Sequence, residues 1–202
     1  TISEESIPVM AQNYLTAIKA VQAHGPYLLA GWSFGGIVAF EMACRLRDEG
    51  EDIAFLGLLD SYPPEILRQL ENTNSNRDDA SSLIQTFAHD LLGIENFRLP
   101  SDEDMAVALL NTPQSKRLLP DVTPMQLRRI FDVFQANWKA ALSHTLAPCD
   151  VPVTLICTTS EVGDGPGKIW RNYVTGEMTV QTVSGDHYSF LHSPSVDSWA
   201  VR

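Results

Sequence analysis

The 202-residue sequence predicts an α/β fold, a mainly parallel sheet flanked by helices with a helical segment inserted between strands. Three observations carry that prediction. Helical and strand-like segments alternate through residues 6–59, which implies parallel strands joined by helical crossovers. Residues 62–148 contain no strand-like run and read as helices. The strand pattern then resumes near residue 151.

In chain order, Met10, Ala11, Tyr14, Leu15, Ile18 and Val21 recur at three- and four-residue steps, predicting a helix over residues 6–23 with that face inward. His24-Gly25-Pro26 stops it. Residues 27–30 are a short apolar strand, and 37–49 return to helical composition with Gly50 as C-terminal cap. Residues 53–59 are a near-continuous apolar run ending at Asp60, as expected of a buried parallel strand. In the middle, residues 65–70, 81–92, 102–110 and 124–143 read as helices, and 72–79 as a polar loop. Residues 151–158 and 178–183 read as strands separated by a short helix or loop at 166–173. Gly185-Asp186-His187 follows the last strand, and 194–201 reads as a closing helix. The expected organisation is one domain, with core at 1–61, an insertion at 62–148 and core again at 149–202. An inserted helical block of this kind belongs over the face where connecting segments carry function.

Composition narrows the function. Hydrophobic residues make up 44% and charged residues 19%, ordinary for a globular domain. No apolar run approaches the ~18 residues of a membrane span, and the acidic N-terminus lacks the basic and apolar regions of a signal peptide. A net charge of −11 argues against nucleic acid, which needs clustered Lys and Arg. Cys44, Cys149 and Cys157 show no CxxC spacing, so a reducing cytoplasm is the simple reading. The five histidines show no paired ligand spacing, so no metal site is expected. The first residue is Thr1, not Met, which suggests a chain beginning inside a larger or processed protein.

The chemistry concentrates in Gly31-Trp32-Ser33-Phe34-Gly35. The pentapeptide alone is weak; a strand directly before it and a helix directly after make it a candidate nucleophile elbow. Such a turn holds the serine at positive φ and needs room, which Gly31 and Gly35 are expected to supply. Gly36 is expected to let the helix pack closely. The hydroxyl of Ser33 then stands at a helix N-terminus, where the Phe34 N–H would bind a developing oxyanion. The bland alternative makes Ser33 an N-cap in a Gly-rich turn.

A serine hydroxyl needs an adjacent base. His187, on a loop after the last strand and late in the chain, fits the order expected for this kind of site. His24 and His144 lie at helix ends, His89 falls mid-helix and His192 lies on the approach to the last helix. The acid is open at this point. Asp60 closes the strand after the elbow helix, whereas Asp164 or Glu161 follows the 151–158 strand. Both loops belong at the carboxyl edge of the sheet.

These residues resemble the thioesterase domains of nonribosomal peptide and polyketide synthases, members of the α/β-hydrolase superfamily. The likeness is carried by residues 25–36, by Ala39-Phe40-Glu41, by Leu58-Leu59-Asp60-Ser61 and by Gly185-Asp186-His187. The resemblance implies a serine thioesterase with Ser33, Asp60 and His187 as triad. It further implies an acyl or peptidyl chain delivered on the phosphopantetheine of a partner carrier domain, and release by water or by an internal nucleophile. The domain itself would bind no cofactor, and the helical insertion would be a lid. Family members carry ~60 further N-terminal residues, whose loop supplies the second oxyanion N–H that the fold requires. The expectation is therefore an N-terminally incomplete domain with Phe34 as its one oxyanion donor. Two alternatives stay open: a general carboxylester hydrolase using Asp164, and an impaired module acting through interaction.

Overall fold

The computed structural model describes residues 6–73, 79–101, 103–158, 165–192 and 196–197. Two compact units divide the chain, one formed within residues 69–139 and the other by the segments before and after it.

The larger unit carries the sheet. Helix α1 (Ile7–Val21) precedes β1 (Tyr27–Trp32), α2 (Phe34–Asp48) and β2 (Ile53–Leu59). Helix α3 (Pro64–Thr73) leads out of this part of the chain. After the other unit come β3 (Val153–Thr158), α8 (Pro166–Trp170) and β4 (Met178–Val183). All pairings are parallel and the strands lie in the order β1-β2-β3-β4. Each strand-to-strand connection is a crossover, as parallel pairing demands.

One sheet face is buried by helices. Leu29, Leu56, Leu58, Val153 and Leu155 form a continuous core with Phe40 and Leu46 of α2, Leu15 of α1 and Trp170 of α8. Each such Leu contributes about 1.5–3 kcal/mol by leaving water. Trp170 is also fastened: its Nε1–H donates to the Ser61 carbonyl at 2.9 Å, and its ring centroid lies 5.2 Å from that of Phe40. A smaller cluster of Ile156, Val183 and Phe190, with Leu59 and Leu191 against it, is the second core of this unit. Leu28 of β1, alternating with Leu29, is 73% exposed.

Several boundaries differ from expectation. In α1, Ile7, Met10, Ala11 and Leu15 are buried, but Tyr14 and Val21 are 52% and 92% exposed, so the inward stripe is narrower than the periodicity suggested. Strand β1 runs on through Gly31-Trp32, and α2 starts at Phe34, three residues earlier than expected. Two glycines depress helix propensity there, but the Gly36 N–H bonds to the Ser33 carbonyl at 3.0 Å and starts the helix at once. Gly50 caps α2 as expected: at φ 82° it donates to the Arg47 carbonyl, while Glu51 N–H reaches Leu46. Strand β3 begins at Val153, two residues later than the apolar run. Of the expected closing helix at 194–201, only Val196 and Asp197 lie among the described residues, and both are helical.

The other unit is helical. It contains α4 (Asp79–Leu92), α5 (Met105–Leu110), α6 (Pro113–Leu118) and most of α7 (Pro124–Ser143). Its core joins Phe87, Ala88, Leu92, Ala106, Leu109 and Leu127, with Phe131 and Phe134 edge-on to Phe87. Helix α5 starts later than expected because Asp104 caps it, accepting from Ala106 and Val107 N–H. Helix α6 was not expected. Thr112 caps it, and the buried Ser115 donates to the Leu109 carbonyl at 2.6 Å.

Arg68 joins the two chain segments of the larger unit. Its Nη1 donates to the carbonyls of Leu142 and His144, both at 2.9 Å, where α7 ends. Terminal helix carbonyls lack intrahelical donors, and a cation there also suits the helix dipole. Arg68→Met should therefore cost about 2 kcal/mol, as for hydrogen bonds to a charged group. Urea unfolding checks this; an unchanged midpoint would show that the bond contributes nothing net.

Candidate active site

The site lies at the carboxyl ends of β1, β2 and β3. Trp32 pairs with Leu59, and Leu59 with Ile156, so β1 and β2 end side by side while β3 runs on to Thr158. The ladder continues one step further: Ser33 N–H donates to the Leu59 carbonyl at 2.9 Å, and Asp60 N–H to the Ile156 carbonyl at 2.7 Å.

Both residues leave the ladder with left-handed backbones. Ser33 has φ 54° and ψ −126°, and Asp60 has φ 45°. A side chain with a Cβ at positive φ costs roughly 1–3 kcal/mol, so surrounding structure must hold each one in place. Ser33 occupies the N-cap position of α2, yet its hydroxyl makes no capping bond. Phe34 is the first residue of α2, and its N–H has no intrahelical acceptor.

The glycines around the elbow are not equivalent. A Cβ on Gly31 would lie 2.1 Å from the Gly35 carbonyl oxygen and 2.6 Å from the Gly36 nitrogen, so the turn closes only over a glycine. A Cβ on Gly36 would lie 2.3 Å from Ser61 Oγ. The close approach expected of Gly36 is thus to the segment leaving β2. The expectation that Gly35 supplies room does not hold, because a Cβ there meets nothing within 4 Å.

Asp60 and His187, 127 residues apart in sequence, come together. The Asp60 Oδ2 lies 2.6 Å from His187 Nδ1. Its other oxygen, Oδ1, accepts from the Thr158 N–H at 3.1 Å and the Thr158 hydroxyl at 3.3 Å. Asp60 is only 1% exposed. A buried carboxylate is tolerable when its lone pairs are filled, and here both oxygens are engaged. Thr158 went unrecognised in the sequence, although it is a polar residue ending the apolar strand beside Asp60. Asp164 and Glu161, the other acid candidates, lie outside the described residues.

The loop carrying His187 is built by a local motif. Asp186 Oδ1 accepts from the N–H groups of Ser189 (2.9 Å) and Tyr188 (3.0 Å), while Ser189 Oγ accepts from the Asp186 N–H at 2.8 Å. Gly185 at φ 122° makes room, since a Cβ there would lie 2.9 Å from Ser189 Oγ. The following 3₁₀ turn, Ser189–Leu191, buries Phe190 completely. The Ser189 and Tyr188 N–H bonds hold the Asp186 carboxyl below its ordinary value.

Of the other histidines, His192 closes the same 3₁₀ turn, its N–H donating to the Ser189 carbonyl. His144 is buried, with Nε2 at 3.4 Å from Glu41 Oε2, and His24 and His89 pair with Glu51 and Asp90. Among the described residues no group of three or more His, Cys, Asp or Glu is arranged to hold a metal ion, and Cys44, Cys149 and Cys157 form no disulfide. No helix among them is long and apolar enough to cross a membrane.

A family model described as Thioesterase domain matches residues 3–198. Atromentin synthetase invA1 of Paxillus involutus is 51% identical over 197 residues, covering 92% of this chain and 20% of that protein. The chain thus spans about a fifth of the length of such a relative. A four-domain nonribosomal peptide synthetase solved with AMP and glycine superposes with a TM-score of 0.81 at 28% identity, over 98% of this chain and 16% of the other. The NocB thioesterase domain superposes with a TM-score of 0.68 at 20% identity, over 98% of this chain and 73% of that one, a likeness of fold. The sheet, its crossovers and these neighbours make the fold that of the α/β hydrolases.

Two outcomes test the local architecture. Gly31→Ala should lose about 3 kcal/mol or more from the backbone clash, whereas Gly35→Ala should be neutral or stabilising by up to about 1 kcal/mol. Denaturant unfolding of the pair decides, and equal losses would refute the asymmetry. The Asp186 bonds carry a sign as well. Because its folded pKa is depressed, their contribution is present above the ordinary aspartate value of about 3.9 and is lost as pH falls through the folded value. The stability gap between wild type and Asp186→Ala should therefore close in melts taken at progressively lower pH below that point. A gap that persists at the lowest pH would contradict it.

Proposed function

The chain belongs to the thioesterase-domain family, and we propose that Ser33, Asp60 and His187 are the triad through which it releases an acyl or peptidyl chain from a thioester. The observation that carries this reading is the 2.6 Å contact between His187 Nδ1 and Asp60 Oδ2, formed at the sheet edge where Ser33 leaves β1.

In this reading Asp60 accepts a hydrogen bond from His187 Nδ1–H and so presents Nε2 as the basic nitrogen. His187 takes the Ser33 proton, and Ser33 Oγ attacks the thioester carbonyl. The Phe34 N–H and the α2 dipole stabilise the oxyanion. Collapse of that intermediate breaks the C–S bond, and His187 returns the proton to the departing thiolate. An acyl-Ser33 ester remains. Water or a nucleophile within the acyl chain, deprotonated by His187, then releases an acid or a ring.

The substrate is proposed to arrive on the phosphopantetheine of a carrier domain. The likeness to multidomain synthetases, among them one described as a four-domain nonribosomal peptide synthetase, supports this. No cofactor enters the scheme: the thiol that leaves belongs to the carrier.

Ser33→Ala should abolish both fluorophosphonate labelling and the mass increase on incubation with an acyl-pantetheine thioester. Labelling that survives in Ser33→Ala would refute the nucleophile. Asp60→Asn should lower turnover by about 10³–10⁴-fold, the scale seen when a triad histidine loses its carboxylate partner. A fall of less than about tenfold would place the acid elsewhere, with Glu161 and Asp164 as next candidates.

A further inference from the structure

Trp32 also reaches the loop that carries His187. Its indole Nε1–H donates to the backbone carbonyl of His187 at 3.2 Å. Its ring centroid stands 5.0 Å from the imidazole at an interplanar angle of 31°, and 5.3 Å from Tyr188, which meets it edge-on. Tyr188 in turn lies edge-on to His187 at 5.1 Å. The three rings form one packed group.

This arrangement has a consequence for geometry. The Asp60 contact fixes one ring nitrogen of His187. A single bond of that kind leaves the imidazole free to swing about the carboxylate, because His187 sits in a turn and not on a strand. The Trp32 indole fixes a second point, the backbone of the same residue. Trp32 is also covalently adjacent to Ser33. The spacing between the hydroxyl and the imidazole is thereby set through one residue's side chain as well as through the sheet.

We propose that Trp32 is a positioning residue that ties the His187 loop to the elbow and holds the imidazole in register with the Ser33 hydroxyl. The inference rests on Ser33 and His187 being nucleophile and base. Trp32 touches neither the substrate carbonyl nor the transferred proton in this scheme; it acts through His187. Its contribution belongs to orientation, where displacement of a reacting group by about 1 Å costs up to 10²-fold.

The test uses the intact chain with two variants. Trp32→Phe keeps an aromatic face and removes the donor, while Trp32→Leu removes both. For Trp32→Phe, kcat with an acyl-pantetheine thioester should fall by about 10- to 100-fold with KM nearly unchanged. The low-field proton NMR signal of the His187 Nδ1–H bonded to Asp60 should broaden and exchange faster with solvent, while the thermal midpoint stays close to wild type. Trp32→Leu should fall further. Wild-type kcat and an unaltered low-field signal in Trp32→Phe would overturn the inference. So would a loss of kcat that merely follows the unfolded fraction. Fluorophosphonate labelling of wild-type Ser33 separates the two readings: absence of labelling refutes the nucleophile, whereas normal labelling with an indifferent Trp32→Phe refutes only the positioning role.

Discussion

Two backbone hydrogen bonds beyond the formal ends of the strands govern the site. Ser33 N–H to Leu59 and Asp60 N–H to Ile156 extend the parallel ladder by one residue on two neighbouring strands. Each extension delivers a residue to the sheet edge in ladder register and then lets it turn out with positive φ. The register comes from the buried face beneath it. Leu56, Leu58 and Leu155 are fully buried, and a slip of one residue would carry each to the opposite face. Hydrophobic burial thus fixes the position of two polar residues that contribute nothing to it.

The same edge explains how a carboxylate can sit at 1% exposure. Isolated, such a group would be prohibitively costly. Thr158 lies at the end of β3, next to Asp60, and gives it both a backbone and a side-chain donor. With Oδ1 engaged by the sheet, Oδ2 faces His187. One oxygen is tied to the scaffold and the other faces the loop. A carboxylate held on one side in this way cannot rotate to meet a displaced imidazole, so the loop must come to it.

Much of this was legible in the sequence, and the failures have physical causes. The positions of β1 and β2 followed from apolar runs, the pattern expected of strands in a parallel sheet. The elbow was legible because a strand, a small-residue turn and a helix fall within a few residues. Asp60 against Asp164 was not decidable from the residues themselves: both follow strand-like runs in the sequence, and the contact that brings Asp60 to His187 spans 127 positions. Thr158 was missed for the same reason, its bond to Asp60 spanning 98 positions. Gly35 was misjudged because sequence shows that a residue is small but not what a side chain would strike. Helix α6 was missed because its six residues carry one Pro and little periodicity, and a cap network does the ordering that an apolar stripe would do in a longer helix.

Of the three proposed catalytic residues, His187 alone is not placed by the ladder. Ser33 and Asp60 inherit their precision from strands whose register the core enforces. His187 follows β4 by a turn and must acquire its precision from the loop itself. Three independent devices meet there. The Asp186–Ser189 bonds shape the turn locally, Phe190 anchors its far end in apolar surroundings, and the Trp32 indole fastens its backbone to the elbow. Local bonds set the turn's shape but not its position, and the buried Phe190 sets its position only to within the slack of one side chain. The indole supplies what those two lack, a directional bond from the residue next to Ser33. In the proposed triad, the base carried on a loop is therefore held to the nucleophile by the residue beside it in sequence, while the sheet holds the acid.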